Sequence, residues 1–276
     1  MQHNLFEWNN NSSVISAKPI SKDKTNIAKQ LAIFFEILYA GKTPRINSDG
    51  VTSHEAVTDG SFQTISGGSM GFPKVLERTC ISWILSFNTN DKNYNLSGSR
   101  VALLGSLTHS LSLYGALEAI FLGCEVHHLA GLSPGSQLEY LENKKIEILY
   151  VTPTQLRLML SAKYKNYIID GLRYIFIGGA SIEQKTLAEL SKIAPNAELK
   201  QFYGSSETSF ITISDLLTPI NSVGKAYPGV EIVLGDQPDK PVSVGETGRV
   251  WVRSPYLFSN YVGENRSNIN RFSDWV

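Results

Sequence analysis

From residue 100 onward the chain alternates in a way that few folds can satisfy. Short apolar runs at 101–104, 124–129, 146–151, 173–177 and 197–202 are separated by helical patterns at 111–122, 137–144, 153–160 and 182–193. Runs that are apolar throughout, rather than at every second residue, suit strands covered on both faces, and an intervening helix lets consecutive strands run parallel. Gly123 ends one helix and Pro153 fits the first turn of another. The expected fold class is therefore α/β, a largely parallel sheet covered by helices on both faces.

Before this region, Ile27, Leu31, Phe34, Phe35 and Leu38 recur at helical spacing until Gly41. Residues 42–60, with Pro44, Gly50 and Gly60, read as a loop, and 61–65 as a short strand feeding a glycine-rich segment. After Pro219 the pattern changes to short strands at 230–234 and 249–253 punctuated by glycines, a small β-rich subdomain. The expected division is an N-terminal helix and loop region at 1–60, an α/β region at 61–220 and a β-rich subdomain at 221–276.

Lysine plus arginine and aspartate plus glutamate each number 25 in 276 residues, so no global field draws in nucleic acid or an anionic membrane. A small-molecule partner is expected instead, with no nucleic acid and no membrane. Cys80 and Cys124 lack a metal or redox spacing and read as buried structural thiols in a reducing compartment. Residues 1–11 carry no basic-then-apolar pattern, and no apolar run reaches the roughly 18 residues that span a bilayer. The expected location is cytoplasmic.

Two motifs carry the chemistry. Ser66-Gly67-Gly68-Ser69-Met70-Gly71-Phe72-Pro73-Lys74 has the bare amides, hydroxyls and ammonium that can wrap a polyphosphate. It is not the common phosphate loop, because Val75 stands where that loop places a magnesium-binding hydroxyl. Another residue must hold the metal, and Glu207 of Tyr203-Gly204-Ser205-Ser206-Glu207 is the candidate, since magnesium favours one or two carboxylates with phosphate oxygens.

These motifs, with Thr108-His109-Ser110, Val151-Thr152-Pro153-Thr154, Leu172-Arg173, Gly178-Gly179-Ala180, Ser222-Val223-Gly224-Lys225, Gly245-Glu246-Thr247-Gly248-Arg249 and Asn260-Tyr261, resemble in order the adenylate-forming (AMP-binding) superfamily of acyl- and aryl-CoA synthetases, luciferases and peptide-synthetase adenylation domains. The resemblance runs over residues 62–262 and implies ATP-dependent carboxylic-acid activation with ATP and Mg2+. It implies that Ser66, Gly68, Ser69, Gly71 and Lys74 hold the phosphates. Gly179, Ala180 and Tyr203 would flank the adenine, with Gly204, Ser205 and Ser206 beside the nucleotide. Glu207 would bind the metal, and Lys74, His109 and Glu207 would form the catalytic set. His109 stands where amino-acid-activating members carry Asp, which argues against an amino-acid substrate.

Apolar residues around 107–113, with Gly178 and Phe202, suggest an aromatic or short aliphatic acid. The acceptor implied is coenzyme A or a phosphopantetheine carrier, so an acyl-carrier protein is a further expected partner. Met70 departs from a usual threonine and implies weaker phosphate contact. No match to the family's Thr-Gly-Asp segment or its C-terminal domain is found, so a large-domain portion of a longer enzyme is expected. A second reading, a catalytically silent nucleotide- or acyl-binding homologue acting as a scaffold, is prompted by Met70 and by Arg249 in place of an acid. A nucleotide-dependent protein unrelated to adenylation is a third.

Overall fold

The structure, a computed structural model, describes residues 4–17, 26–66, 73–162, 167–219, 221–263 and 271–276. In chain order the first elements are β1 (Ser13–Ser16), α1 (Ile27–Tyr39), β2 (Thr43–Asn47), β3 (Gly50–His54), β4 (Ser61–Ile65), β5 (Val75–Thr79) and α2 (Cys80–Tyr94). The alternating region then gives β6 (Arg100–Leu103), α3 (Ser110–Phe121), β7 (Glu125–His128), α4 (Pro134–Asn143), β8 (Ile148–Val151), α5 (Pro153–Ser161), β9 (Tyr174–Ile177), α6 (Gln184–Ile193) and β10 (Glu198–Ser205). β11 (Ser209–Ser214), β12 (Lys225–Ala226), β13 (Glu231–Gln237), β14 (Lys240–Pro241), β15 (Arg249–Arg253) and β16 (Asn260–Tyr261) complete the series.

The largest sheet has the order β1-β7-β6-β8-β9-β10-β11-β12. β1 through β10 in that order pair in parallel, and β11 and β12 join antiparallel. Successive side chains point to opposite faces of a strand, and two separate cores follow. Val101, Leu103, Ile148, Tyr150 and Phe176 pack with Phe87 of α2 and Leu117 of α3. Ala102, Leu149, Val151, Ile175 and Ile177 pack with Leu141 of α4, Leu156 of α5 and Leu190 of α6. The sheet is covered on both faces, as its apolar strands predict. Local signals set the helix starts: Ser133 and Thr152 cap α4 and α5 with their side chains, each followed by proline, and Thr152 forms a capping box with Gln155.

A second sheet has the order β16-β5-β4-β2-β3, and a third the order β14-β13-β15. Residues 43–54, expected as a loop, form a hairpin of two strands, and α2 arises where no helix was expected. The hairpin is only partly buried and Pro44 interrupts its pattern, so its alternation is faint in the sequence. α2 carries Ser82, Ser86 and Asn90 on its buried face, which blurs the apolar stripe that marks a helix. Cys80 and Cys124 are buried free thiols, as read from their spacing. No helix among the described residues is long and apolar enough to cross a membrane.

Candidate active site

Because β6 lies between β7 and β8, the chain leaves it first to one side and then to the other, which makes the carboxyl ends of β6 and β8 a switch point where open sheets open a crevice. A cavity of about 510 Å³ lies there. Its polar wall is Gly105, His109 and Ser110 after β6, Thr152 after β8, Gly179 after β9, and Gly204, Ser205 and Ser206 at the end of β10. Its apolar wall is a chain of rings. Trp83 meets Tyr114 at 5.1 Å, Tyr114 meets Phe210 at 5.3 Å, and Phe210 meets Phe202 at 4.8 Å, each edge to face. Gly178 is required beneath Phe202, because a Cβ there would lie 2.1 Å from the ring.

Behind the rings sits a closed polar cluster. Glu118 accepts hydrogen bonds from Tyr150 Oη, from Asn90 Nδ2 at 2.8 Å and from Tyr114 Oη at 3.1 Å. Burial pushes its carboxyl up to about 7, against the opposing pull of these donors. Burial likewise raises the Tyr114 and Tyr150 hydroxyls well above the ordinary range.

A second cavity of about 450 Å³ adjoins the first and is lined by Tyr203, Glu207, Arg249, Trp251 and Tyr261. Gly204 and Ser205 line both cavities, so the end of β10 divides them. Of the three residues expected around one base, Gly179 lies on the first cavity, the Tyr203 ring, 44% exposed, on the second, and Ala180 is exposed beside Gly179. Both volumes lie in the range of about 300–1,000 Å³ common for small-molecule sites.

The glycine-rich segment spans β4 and β5, whose register pairs Ile65 with Val75. Gly68, Ser69, Met70 and Gly71 lie outside the described residues. The two ends of the segment are fixed: Ser66 N–H donates to the Lys74 carbonyl at 2.9 Å, and Lys74 N–H donates to Ser66 Oγ at 3.1 Å. Ser110 Oγ donates to the Ile65 carbonyl at 3.2 Å and lies 3.2 Å from Ser206 Oγ, which ties this hairpin to the end of β10. His109 is exposed at the start of α3 and its backbone bridges Ile65.

Lys74 and Glu207, 133 positions apart in the numbering, meet at Tyr261. The Lys74 ammonium lies 4.7 Å from the centre of the Tyr261 ring, and the Tyr261 hydroxyl donates to Glu207 Oε1 at 2.8 Å. Burial, with Glu207 next, raises the Tyr261 hydroxyl above its ordinary range, so it stays a donor. Among the described residues no three His, Cys, Asp or Glu side chains gather as a metal cage. One carboxylate with serine hydroxyls nearby is an all-oxygen donor set that suits magnesium completed by phosphate oxygens.

Sequence reasoning missed Arg78. It is fully buried on β5, four residues beyond Lys74. Its Nη1 donates to the Ser206 carbonyl at 2.9 Å and the Glu207 carbonyl at 3.4 Å, and its Nη2 to Ser209 Oγ at 2.5 Å and the Tyr256 carbonyl. Burial pulls its guanidinium down to about 9, and Glu207 acts in the opposite sense. Nothing in Val75-Leu76-Glu77-Arg78-Thr79 as a sequence marks the arginine as internal. His127 and His128, at the end of β7, are buried and hydrogen-bonded, His127 to Tyr140 and Glu125 and His128 to the Gly105 carbonyl.

The α/β sheet with its satellite β sheets and its crevice at the strand ends has counterparts among known proteins. The AMP-binding enzyme family matches residues 20–262, and the chain belongs to that family. VraA of Staphylococcus epidermidis, whose name assigns it provisionally to the long chain fatty acid-CoA ligases, is 31% identical over 213 residues, which are 76% of this chain and 44% of that protein. The 2,3-dihydroxybenzoate-AMP ligase of Bacillus subtilis is 27% identical over 226 residues, 79% of this chain and 42% of that one. The chain thus spans a little under half the length of these curated relatives. Among solved structures, the o-succinylbenzoate coenzyme A synthetase of Bacillus subtilis, in complex with ATP and magnesium ion, superposes with a TM-score of 0.68 at 20% identity, covering 78% of this chain and 46% of that one. At that identity the likeness speaks for the fold.

Proposed function

We propose that the chain binds ATP with magnesium at the junction of the two cavities and takes part in joining a carboxylic acid to AMP. The observation that carries this reading is the meeting of Lys74 and Glu207 on the two sides of Tyr261, beside a crevice at the strand ends. Adenylation brings a carboxylate to the α-phosphorus of ATP. A carboxylate oxygen bonds to that phosphorus, the bond to the β-phosphate bridging oxygen breaks, and pyrophosphate leaves with the electron pair. Two anions must approach, so charge is the main obstacle.

In this reading Lys74 and the amides of residues 66–74 hold the β- and γ-phosphates, including Gly68, Ser69 and Gly71. Gly179, Ala180, Tyr203, Gly204, Ser205 and Ser206 receive the nucleoside and α-phosphate. Glu207 would hold magnesium, which when bound supplies neutralising charge to the phosphates. His109 lies at the mouth of the ring-lined cavity, where it can orient the incoming carboxylate. The rings of Trp83, Tyr114, Phe202 and Phe210 receive an aromatic or short aliphatic tail. The thiol of coenzyme A or of a carrier protein then bonds to the acyl carbon, loses its proton to solvent and displaces AMP. The two buried free thiols fit a reducing, cytoplasmic setting.

Calorimetric titration with ATP, in magnesium and in EDTA, tests the first half of the reading; equal affinity in both media for the unmodified protein sinks it. Exchange of labelled pyrophosphate into ATP, driven by a panel of benzoates and fatty acids, tests the second. Metal-dependent binding with no exchange for any acid would instead mark a silent nucleotide-binding scaffold.

A further inference from the structure

We propose that Arg78 is the positioning residue of the candidate metal site: its buried guanidinium fixes the backbone of Ser206 and Glu207 so that the Glu207 carboxylate faces Lys74. This rests on the nucleotide reading above. The turn at 205–209 is an awkward piece of backbone. Register slips between Tyr203 and Gly204, and a Cβ at Gly204 would lie 1.9 Å from the Ser209 carbonyl oxygen. Ser209, a residue with a side chain, holds φ at +58°. Conformations of this kind are costly and persist only where their surroundings over-determine them.

Arg78 supplies that determination. It grips the carbonyls of Ser206 and Glu207 on one side of its fork and Ser209 Oγ and the Tyr256 carbonyl on the other. Trp83 Nε1 donates to the same Ser209 Oγ at 3.2 Å, and the Trp83 ring lies 5.5 Å from the guanidinium carbon. The Glu207 carbonyl also accepts the Phe258 amide at 2.8 Å, so the main chain of Glu207 is held from two directions while its carboxylate points to Tyr261.

A buried cation is a costly way to hold a turn. Its Nε has no partner among the described residues, and its acceptors are neutral carbonyl and hydroxyl oxygens. An apolar residue of the same volume commonly stabilises a core at least as well as a buried charge. The charge is placed under the turn that presents Glu207, on the strand that begins just after Lys74. Fork geometry then links the two motifs by a rigid reach that a single ammonium cannot reproduce.

The test is calorimetric titration of the full chain with ATP in magnesium and in EDTA, read as the ratio of the two affinities. Arg78→Met is expected to lower that ratio by at least about tenfold, as loss of an outer partner of a metal ligand commonly does, toward the value in Glu207→Gln. Arg78→Lys is expected to recover only part of it. A folded Arg78→Met with the full ratio overturns the assignment, as does an equal loss of affinity in both media, the mark of general loosening. Where Arg78→Met does not fold, Arg78→Lys decides by the same ratio, and collapse of both variants assigns Arg78 to folding alone and overturns the proposal. An unmodified protein indifferent to magnesium removes the nucleotide reading itself, and this inference with it.

Discussion

Lys74 makes a contact with Tyr261 that a triphosphate can replace with a stronger one. An ammonium over a ring is stabilised by about 0.5–2 kcal/mol, whereas hydrogen bonds to charged groups contribute about 1.5–3 kcal/mol. Lys74→Met is therefore expected to weaken ATP binding about tenfold to a hundredfold in magnesium and in EDTA alike, measured by calorimetry. Glu207→Gln should differ in kind, removing the increment due to magnesium and leaving the metal-free affinity in place. A second residue-scale prediction concerns Glu118. Its folded pKa of about 7 exceeds the ordinary 4.5, so its contribution to stability is full below about 4.5 and is lost as pH rises through 7. The loss amounts to about 3 kcal/mol. Urea midpoints across pH 4–8 should fall over that window in the natural protein and flatten in Glu118→Gln; an unchanged slope rules out this assignment.

At the scale of elements, the β4–β5 hairpin flanks the glycine-rich segment, and Phe62 anchors that hairpin. Its ring is fully buried and meets Phe6 at 5.1 Å, Phe34 at 6.1 Å and Trp83 at 4.8 Å. Phe62→Ala should cost about 3–5 kcal/mol of stability by urea unfolding. Elements of the large sheet were legible because buried parallel strands leave unbroken apolar runs, and β4 was read to the residue. β1, β2, β3 and α2 were not. β1 and β3 hold no fully buried side chain, Pro44 breaks the pattern of β2, and α2 sets Ser82, Ser86 and Asn90 on its buried face, so none of the four shows a clean local periodicity. The site divides in the same way. Glycine, lysine and glutamate motifs announce themselves by composition, while Arg78 and Ser110 act through main-chain carbonyls and side chains that only the folded chain brings near.

Across the whole molecule, the candidate site draws on two sheets, with Glu207 just past the end of β10 in one and Lys74 just before β5 of the other. A ligand that binds only the folded form at a hundred times its Kd stabilises by about 2.7 kcal/mol. Saturating ATP with magnesium should therefore raise the melting temperature by several degrees in a single transition. A split melt, with only one part shifted, would show that the sheets unfold independently and that the nucleotide engages one of them.

The arginine fork beneath the Ser-Ser-Glu turn has a bearing on protein engineering. Transplanting the glycine-rich hairpin onto a foreign scaffold would carry along a positive charge deprived of its four oxygen acceptors. Moving the turn by itself would leave the left-handed Ser209 without its anchor. The two signatures that a motif search treats as separable words are one mechanical part, and recombination between related chains should succeed at crossovers that inherit both from the same parent.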